Sequence, residues 1–242
     1  MAIIFFTDFG SQGIYTGQME AVIHAMVPEA RIIHSVNDAP QSDPQLSAYL
    51  LAALVPYFAR GSIFVAVVDP GVGGSRAAVM VEADGRFFVG PDNGLFNTLT
   101  LHSETVRWYS VVWPLDDCSL SFHGRDMFAP FAARLYLNQA EDCLQECAVP
   151  DLAGWPVDLS RIIYFDHYGN AMTGMRYQTR YDGLSLMVNG LVLKQAGTFC
   201  QVAPGELFWY KNSMGLIEIA ANKQSAKSIL NLALGDEVKF IN

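Results

Sequence analysis

The run Ile63-Phe64-Val65-Ala66-Val67-Val68 places the strongest limit on how this chain can fold. Six consecutive apolar residues, rich in β-branched side chains, read as a buried strand. The run ends on Asp69, passes through the side-chain-poor loop Pro70-Gly71-Val72-Gly73-Gly74-Ser75, and meets a guanidinium at Arg76. A charged residue at the carboxyl end of a buried strand is where open α/β sheets place ligand-binding groups. Glycines and a proline make a tight loop that a ligand can approach closely. Taken alone, the segment reads first as a turn with a solvated Asp–Arg pair, because such surface pairs are common and weak. Its functional reading depends on the other polar clusters of the chain.

Around this strand, strands and helices alternate. Strands are expected at residues 3–6, 31–36 and 63–68, and a hairpin at 77–82 and 86–90 around Ala83-Asp84-Gly85. Helical spacing appears at 17–26 and 44–58, the latter with Asp43 as N-cap, and helices are expected to start within 93–101 and 126–137. This order predicts a largely parallel sheet covered by helices. Residues 149–156 are rich in turn formers and have linker character. Beyond them, short apolar stretches at 160–165, 185–188, 191–194, 207–210, 216–220 and 237–241 alternate with Gly and Asn turns. Helical periodicity returns only at 225–232, so the pattern is that of a small barrel or sandwich. The expected fold is an N-terminal α/β sandwich, residues 1–154, followed by a C-terminal all-β, barrel-like domain, residues 155–242.

The formal net charge of −9 argues against a nucleic-acid binder, which needs a basic face, and suits a cationic small ligand. No apolar run reaches the ~20 residues of a membrane span. The chain starts on a strand-like run without the basic region of a signal peptide, which predicts a cytoplasmic protein. Cys118, Cys143, Cys147 and Cys200 are scattered; Cys143 and Cys147 lie four apart on an expected helix, without a C-x-x-C pair or a suitably spaced histidine. No metal is expected from that pattern, and the thiols are expected to be reduced.

Polar clusters stand at the ends of the expected elements. In Thr7-Asp8-Phe9-Gly10, Asp8 can accept hydrogen bonds from two vicinal hydroxyls of a ribose or can cap the next helix. Gly90-Pro91-Asp92-Asn93-Gly94-Leu95 reads as a turn with an N-cap. Phe122-His123-Gly124-Arg125-Asp126 puts an imidazole beside a glycine at a helix start, where a proton acceptor meets free backbone N–H groups. In the second half, Asp166 can hold an ammonium group, and Asn170 and Asn212 can read amide-like edges, although a plain hairpin explains each of them singly.

Taken together and in this order, the clusters resemble the S-adenosyl-L-methionine hydrolase (hydroxide adenosyltransferase) family, relatives of the fluorinating and chlorinating adenosyl enzymes. The resemblance runs from Thr7-Asp8-Phe9-Gly10 through Val68-Asp69-Pro70-Gly71-Val72-Gly73 with Arg76, Pro91-Asp92-Asn93-Gly94-Leu95, Phe122-His123-Gly124-Arg125-Asp126 and Asp166 with Gly169-Asn170, to Asn212-Ser213. It implies cleavage of S-adenosylmethionine at C5′ to adenosine and methionine, with no metal or other cofactor. It also implies a homotrimer with ligand sites between neighbouring subunits. On the family pattern Asp69, Arg76 and His123 hold and activate the attacking water and Asp8 binds the ribose hydroxyls. Asp166 and Ser213 contact the amino-acid end, and Asn170 the adenine. Asp92, Asn93, Gly124 and Asn212 join the substrate-binding set as members of the matching motifs. Gly124 stands where the halogenating relatives carry a halide-binding serine, which favours water as nucleophile. Met214 follows Ser213 where those relatives have an arginine for the carboxylate.

The chemistry asks little of a general acid, because the sulfonium leaves as a neutral thioether. It asks much of the nucleophile, since bulk water has a pKa near 15.7. Asp69 or His123 can take the proton and Arg76 can stabilise the developing anion. A dry site helps, because attack of an anion on a sulfonium cancels charge. Two other readings compete: halide transfer to the same carbon, and a non-catalytic sensor of S-adenosylmethionine or adenosine.

Overall fold

In the computed structural model, which describes residues 1–114 and 118–241, the chain divides into two units, Met1–Trp155 and Pro156–Asn242. The first contains β1 (Ile3–Thr7), α1 (Tyr15–Met26), β2 (Ile32–Val36), α2 (Pro44–Leu54), β3 (Ile63–Val67), β4 (Ala78–Ala83), β5 (Arg86–Pro91), α3 (Asn97–His102), β6 (Val106–Val111), α4 (Ala129–Tyr136) and β7 (Leu144–Cys147). Its seven strands form one sheet in the order β2-β1-β3-β5-β4-β6-β7.

The sheet is mixed, not largely parallel. Strands β2, β1, β3 and β5 run parallel, but the β4–β5 hairpin reverses direction, and β6 and β7 follow it antiparallel. The hairpin turns through Asp84 and Gly85, both at positive φ, which is the backbone a two-residue turn requires. The segment 144–147 is a strand paired with β6, Trp108 opposite Cys147. The helix expected for Cys143–147 therefore does not form: edge pairing onto β6 supplies its backbone partners instead.

Every residue of β1 and β3 is buried, as expected for strands covered on both faces. On one face Ile3, Phe5, Val65 and Val67 pack with Met19 and Ile23 of α1 and with Phe131 and Ala132 of α4. Asp43 caps α2, accepting from Leu46 N at 2.9 Å, with Pro44 as first helical residue. A π-helical turn, Gly124–Phe128, leads into α4; such turns recur at functional sites. Trp155 packs with the first unit, stacked on Tyr49 and donating its indole N–H to Thr98 Oγ1 at 3.0 Å.

The second unit contains β8 (Leu159–Phe165), β9 (Ala171–Arg176), β10 (Ser185–Val188), β11 (Leu191–Gln195), β12 (Leu207–Lys211), β13 (Leu216–Ala221), α5 (Ala226–Leu230) and β14 (Val238–Ile241). The order is β14-β10-β11-β12-β13-β9-β8, antiparallel except for a two-residue parallel pairing of β11 with β12. The sheet's ends meet where Ile162 N donates to Asp236 O at 2.9 Å and Gly235 N to Ile162 O at 2.8 Å. The sheet is thus nearly closed, the barrel expected for this half. Its interior holds Trp209, Leu186, Ile217 and Ile219, all fully or almost fully buried.

Candidate functional site

Parallel pairing of β1 with β3 puts Thr7 opposite Val67, so Asp8 and Asp69 leave the same edge of the sheet. Both line a cavity of about 210 Å³ together with Phe9, Tyr15, Phe122 and His123. The rings of Phe9, Tyr15 and Phe122 pack at 5.1–5.9 Å, Phe122 edge-on to the other two, and form its apolar wall.

Asp69, Arg76 and His123 form a continuous chain of hydrogen bonds. Arg76 Nε donates to Asp69 Oδ1 at 3.1 Å and Oδ2 at 3.0 Å, and Arg76 Nη2 also meets Oδ2. The same Nη2 donates to His123 Nδ1 at 2.8 Å. Arg76 has no acceptor to offer, so Nδ1 is the accepting nitrogen and the ring proton sits on Nε2. Burial, then the Arg76 charge, holds the His123 imidazole below its ordinary value. Both partners of the ion pair are almost out of solvent, and the guanidinium also lies over the Phe128 ring at 5.5 Å. Asp8 accepts from Ser42 N at 2.9 Å. Burial, helped by the nearby Asp69 charge, pushes its carboxyl up despite that bond.

Two glycines shape this site. Gly73 has φ +77°, and a Cβ there would sit 2.3 Å from the Leu120 carbonyl oxygen; only glycine lets the Asp69–Arg76 loop pack on the segment before His123. A Cβ on Gly124 would stand 3.0 Å from the Phe122 ring and 3.2 Å from Met19 Sδ. At Gly71, by contrast, a Cβ would make ordinary contact with Arg76 and Asp69.

Asp92 and Asn93 do not line this cavity. Asn93 Nδ2 donates to Val68 O at 2.9 Å, pinning the end of β3 from which Asp69 projects. Burial pushes the Asp92 carboxyl up.

In the second unit a cavity of about 750 Å³ is lined by Asp166, Tyr168, Asn170, Phe199 and Tyr210 among others. Asp166 ties its own turn together: Oδ1 accepts from Tyr168 N at 2.9 Å and Asn170 N at 2.8 Å, and Oδ2 from Asn170 Nδ2 at 2.8 Å. Asn170 Oδ1 is buried and takes no hydrogen bond from the described residues, which leaves an acceptor for a ligand. Asn212 Oδ1 accepts from Met214 N and Leu216 N, both at 2.9 Å, and so closes the turn that carries Ser213. Phe199 and Tyr210 are not marked by any motif in the sequence: Phe199 is a lone aromatic among turn residues, and Tyr210 reads only as the last residue of the expected strand 207–210. Their rings meet at 5.5 Å.

Among the described residues, no three of His, Cys, Asp and Glu are grouped as a metal ion needs, and no helix is long and apolar enough to cross a membrane.

Two family models match the chain, the SAM hydroxide adenosyltransferase N-terminal domain over residues 3–144 and the corresponding C-terminal domain over residues 160–239. The chain belongs to the SAM hydroxide adenosyltransferase family. A Thermus thermophilus protein named (R)-S-adenosyl-L-methionine hydrolase is 34% identical, with 99% of both chains covered. One of the same name from Salinispora tropica is 33% identical over 98% of this chain and 96% of its own. The crystal structure of an uncharacterized conserved protein from Thermotoga maritima superposes with a TM-score of 0.89 at 26% identity, covering 99% of this chain and all of that one. The crystal structure of a conserved hypothetical protein from Thermus thermophilus gives 0.80 at 34% identity, covering 99% of each. In this family member, Asp8, Asp69, Arg76 and His123 fall within the N-terminal match, and Asp166, Asn170 and Ser213 within the C-terminal one.

Proposed function

We infer that this member of the family hydrolyses S-adenosyl-L-methionine: water attacks C5′, the C5′–S bond breaks with its electron pair on sulfur, and adenosine and L-methionine are released. The observation that carries this reading is the buried Asp69–Arg76–His123 chain on a cavity shared with Asp8, in a chain matched from end to end by hydrolases. A binding protein has no use for a water-activating group.

Of the two candidate proton acceptors, Asp69 fits better. His123 has Nδ1 engaged by Arg76, and a second cation beside that guanidinium is disfavoured, so its free nitrogen offers a donor N–H. The Asp69 carboxylate keeps acceptor capacity beyond its bonds to Arg76. Asp69 then takes the water proton as the C5′–O bond forms, and Arg76, always charged, stabilises the hydroxide character of the oxygen. The aromatic wall excludes water, which strengthens these charge interactions. Asp8 receives the ribose hydroxyls. Two carboxylates against one guanidinium leave a negative balance that suits a sulfonium.

Asn170, with its unused acceptor, reads the adenine amino group, and the Phe199 and Tyr210 rings flank the base. Asp166 and Ser213 hold the amino-acid end; Asp92, Asn93, Gly124 and Asn212 support these groups through the loops they shape. The reaction runs without metal or other cofactor. The protein works in the cytoplasm as a homotrimer with sites between neighbouring subunits.

Purified protein incubated with S-adenosyl-L-methionine and EDTA should yield adenosine and methionine on chromatography. Intact substrate after long incubation, with ligand still bound, overturns the reading in favour of a sensor. A 5′-chloro-5′-deoxyadenosine peak in excess chloride points to halide transfer instead. Sedimentation tests the trimer.

A further inference from the structure

Glu218 is 2% exposed, the least exposed carboxylate among the described residues, and the chemistry above makes no use of it. It sits on β13 directly opposite Tyr210 of β12. Its two oxygens have separate donors: Tyr210 Oη donates to Oε1 at 2.5 Å and Asn212 Nδ2 to Oε2 at 2.8 Å. Each donor is also held from a second side. Asn212 has its own oxygen committed to Met214 N and Leu216 N, and Tyr210 packs against Phe199 with the rings 69° apart.

All six residues of β13 are buried, so a leucine at 218 would suit the strand and avoid burying a charge, often with no loss of stability. A carboxylate is what accepts from two convergent donors at once. We propose that Glu218 is a positioning residue for the substrate: one carboxylate, through separate oxygens, fixes the Tyr210 ring that walls the second-unit cavity and the 212–215 turn that carries Ser213. This rests on the assignment of that cavity and of Ser213 to the substrate.

Glu218→Gln leaves one acceptor for two donors. With its carbonyl toward Tyr210 the amide N–H₂ meets Asn212 Nδ2, donor against donor; flipped, the carbonyl serves Asn212 and the N–H₂ donates to Tyr210 Oη, whose own O–H then loses its acceptor. The paired change Asn212→Asp, Glu218→Gln restores the bond in reverse, since the new carboxylate accepts from the new amide and still serves Met214 N and Leu216 N. Tyr210→Phe removes only the Tyr210 arm.

Steady-state kinetics with S-adenosyl-L-methionine, and calorimetry with adenosine, test the proposal on the full chain. Glu218→Gln should raise KM about tenfold with kcat held within about threefold, the mark of lost ground-state positioning. The paired change should recover most of that loss, and Tyr210→Phe should weaken adenosine binding about fivefold or more. A Glu218→Gln enzyme that melts with the parent and keeps its KM overturns the proposal. So does a paired variant no better than Glu218→Gln. If Glu218→Gln does not fold, Tyr210→Phe decides alone, and unchanged adenosine affinity refutes the idea. Ser213→Ala and Asn170→Ala separate the two levels. If neither alters KM, the substrate assignment of the cavity and of Ser213 fails; if they raise it while Glu218→Gln does not, only the positioning role fails.

Discussion

Arg76 Nη2 donates to His123 Nδ1 across 2.8 Å while Nε of the same guanidinium holds Asp69. One cation therefore sets the state of both neighbours: it keeps the imidazole neutral with its proton on Nε2, and it orients the carboxylate. Asp69 and His123, interchangeable as proton acceptors along the chain, thereby meet different surroundings.

The first consequence is pH dependence. Protonating His123 removes the acceptor for Arg76 and sets two cations together. The folded value is held below the ordinary 6.5, so between the two values the unfolded chain binds the extra proton, and stability falls as pH drops through that window. Tm should decline as pH drops below about 6.5, activity only at lower pH, where folded His123 takes the proton, and both less steeply in His123→Gln. Parallel pH profiles for variant and parent would falsify this.

Asp69→Asn leaves shape nearly unchanged but removes the proposed proton acceptor. Turnover should fall ~10²–10⁴-fold with substrate affinity little altered. Single-turnover measurements at saturating substrate check it, and a loss confined to KM sinks the assignment.

Asp8 is held above its usual value by burial and by the Asp69 charge, so its ionised form opposes folding at neutral pH. Asp8→Asn keeps an acceptor for Ser42 N and relieves that opposition. We expect Tm at pH 7 to rise by about 2–4 °C while adenosine affinity drops. A variant that melts lower, or binds adenosine as tightly as the parent, contradicts the prediction.

Gly124→Ser imports the serine of the halogenating relatives into a site where its Cβ would stand 3.0 Å from the Phe122 ring and 3.2 Å from Met19 Sδ. Both neighbours have to give by a few tenths of an ångström, and we expect a loss of about 1 kcal/mol in stability. Chemical denaturation should show the loss, and product analysis in chloride should show adenosine only. A chlorinated product from this variant would mean that residue 124 alone selects the nucleophile.

Local signals carried much of the fold. The apolar runs of β1 and β3, the Asp43–Pro44 helix start and the Asp84-Gly85 turn depend on residues close in sequence, and each formed within a residue or two of its expected place. The short strands of the second half were also legible, apart from β9, whose Thr173 and Gly174 break an apolar pattern. The strand β6 and the strand at 144–147, which extend the sheet antiparallel beyond the expected hairpin, were not legible. Edge strands gain their stability from pairing with a partner distant in sequence, which a local period does not record.

The same division holds for the site. The sequence by itself determined which polar groups end which strands, and their order carried the family resemblance. Only tertiary structure decided that Arg76 reaches His123, 47 residues away, through Nδ1, and that Phe199 and Tyr210 face the cavity with Asp166 and Asn170. Hydrogen-bond direction and burial arise from packing between distant segments. The Asp69–Arg76 loop was written in the chain; the tautomer it imposes on His123 was not.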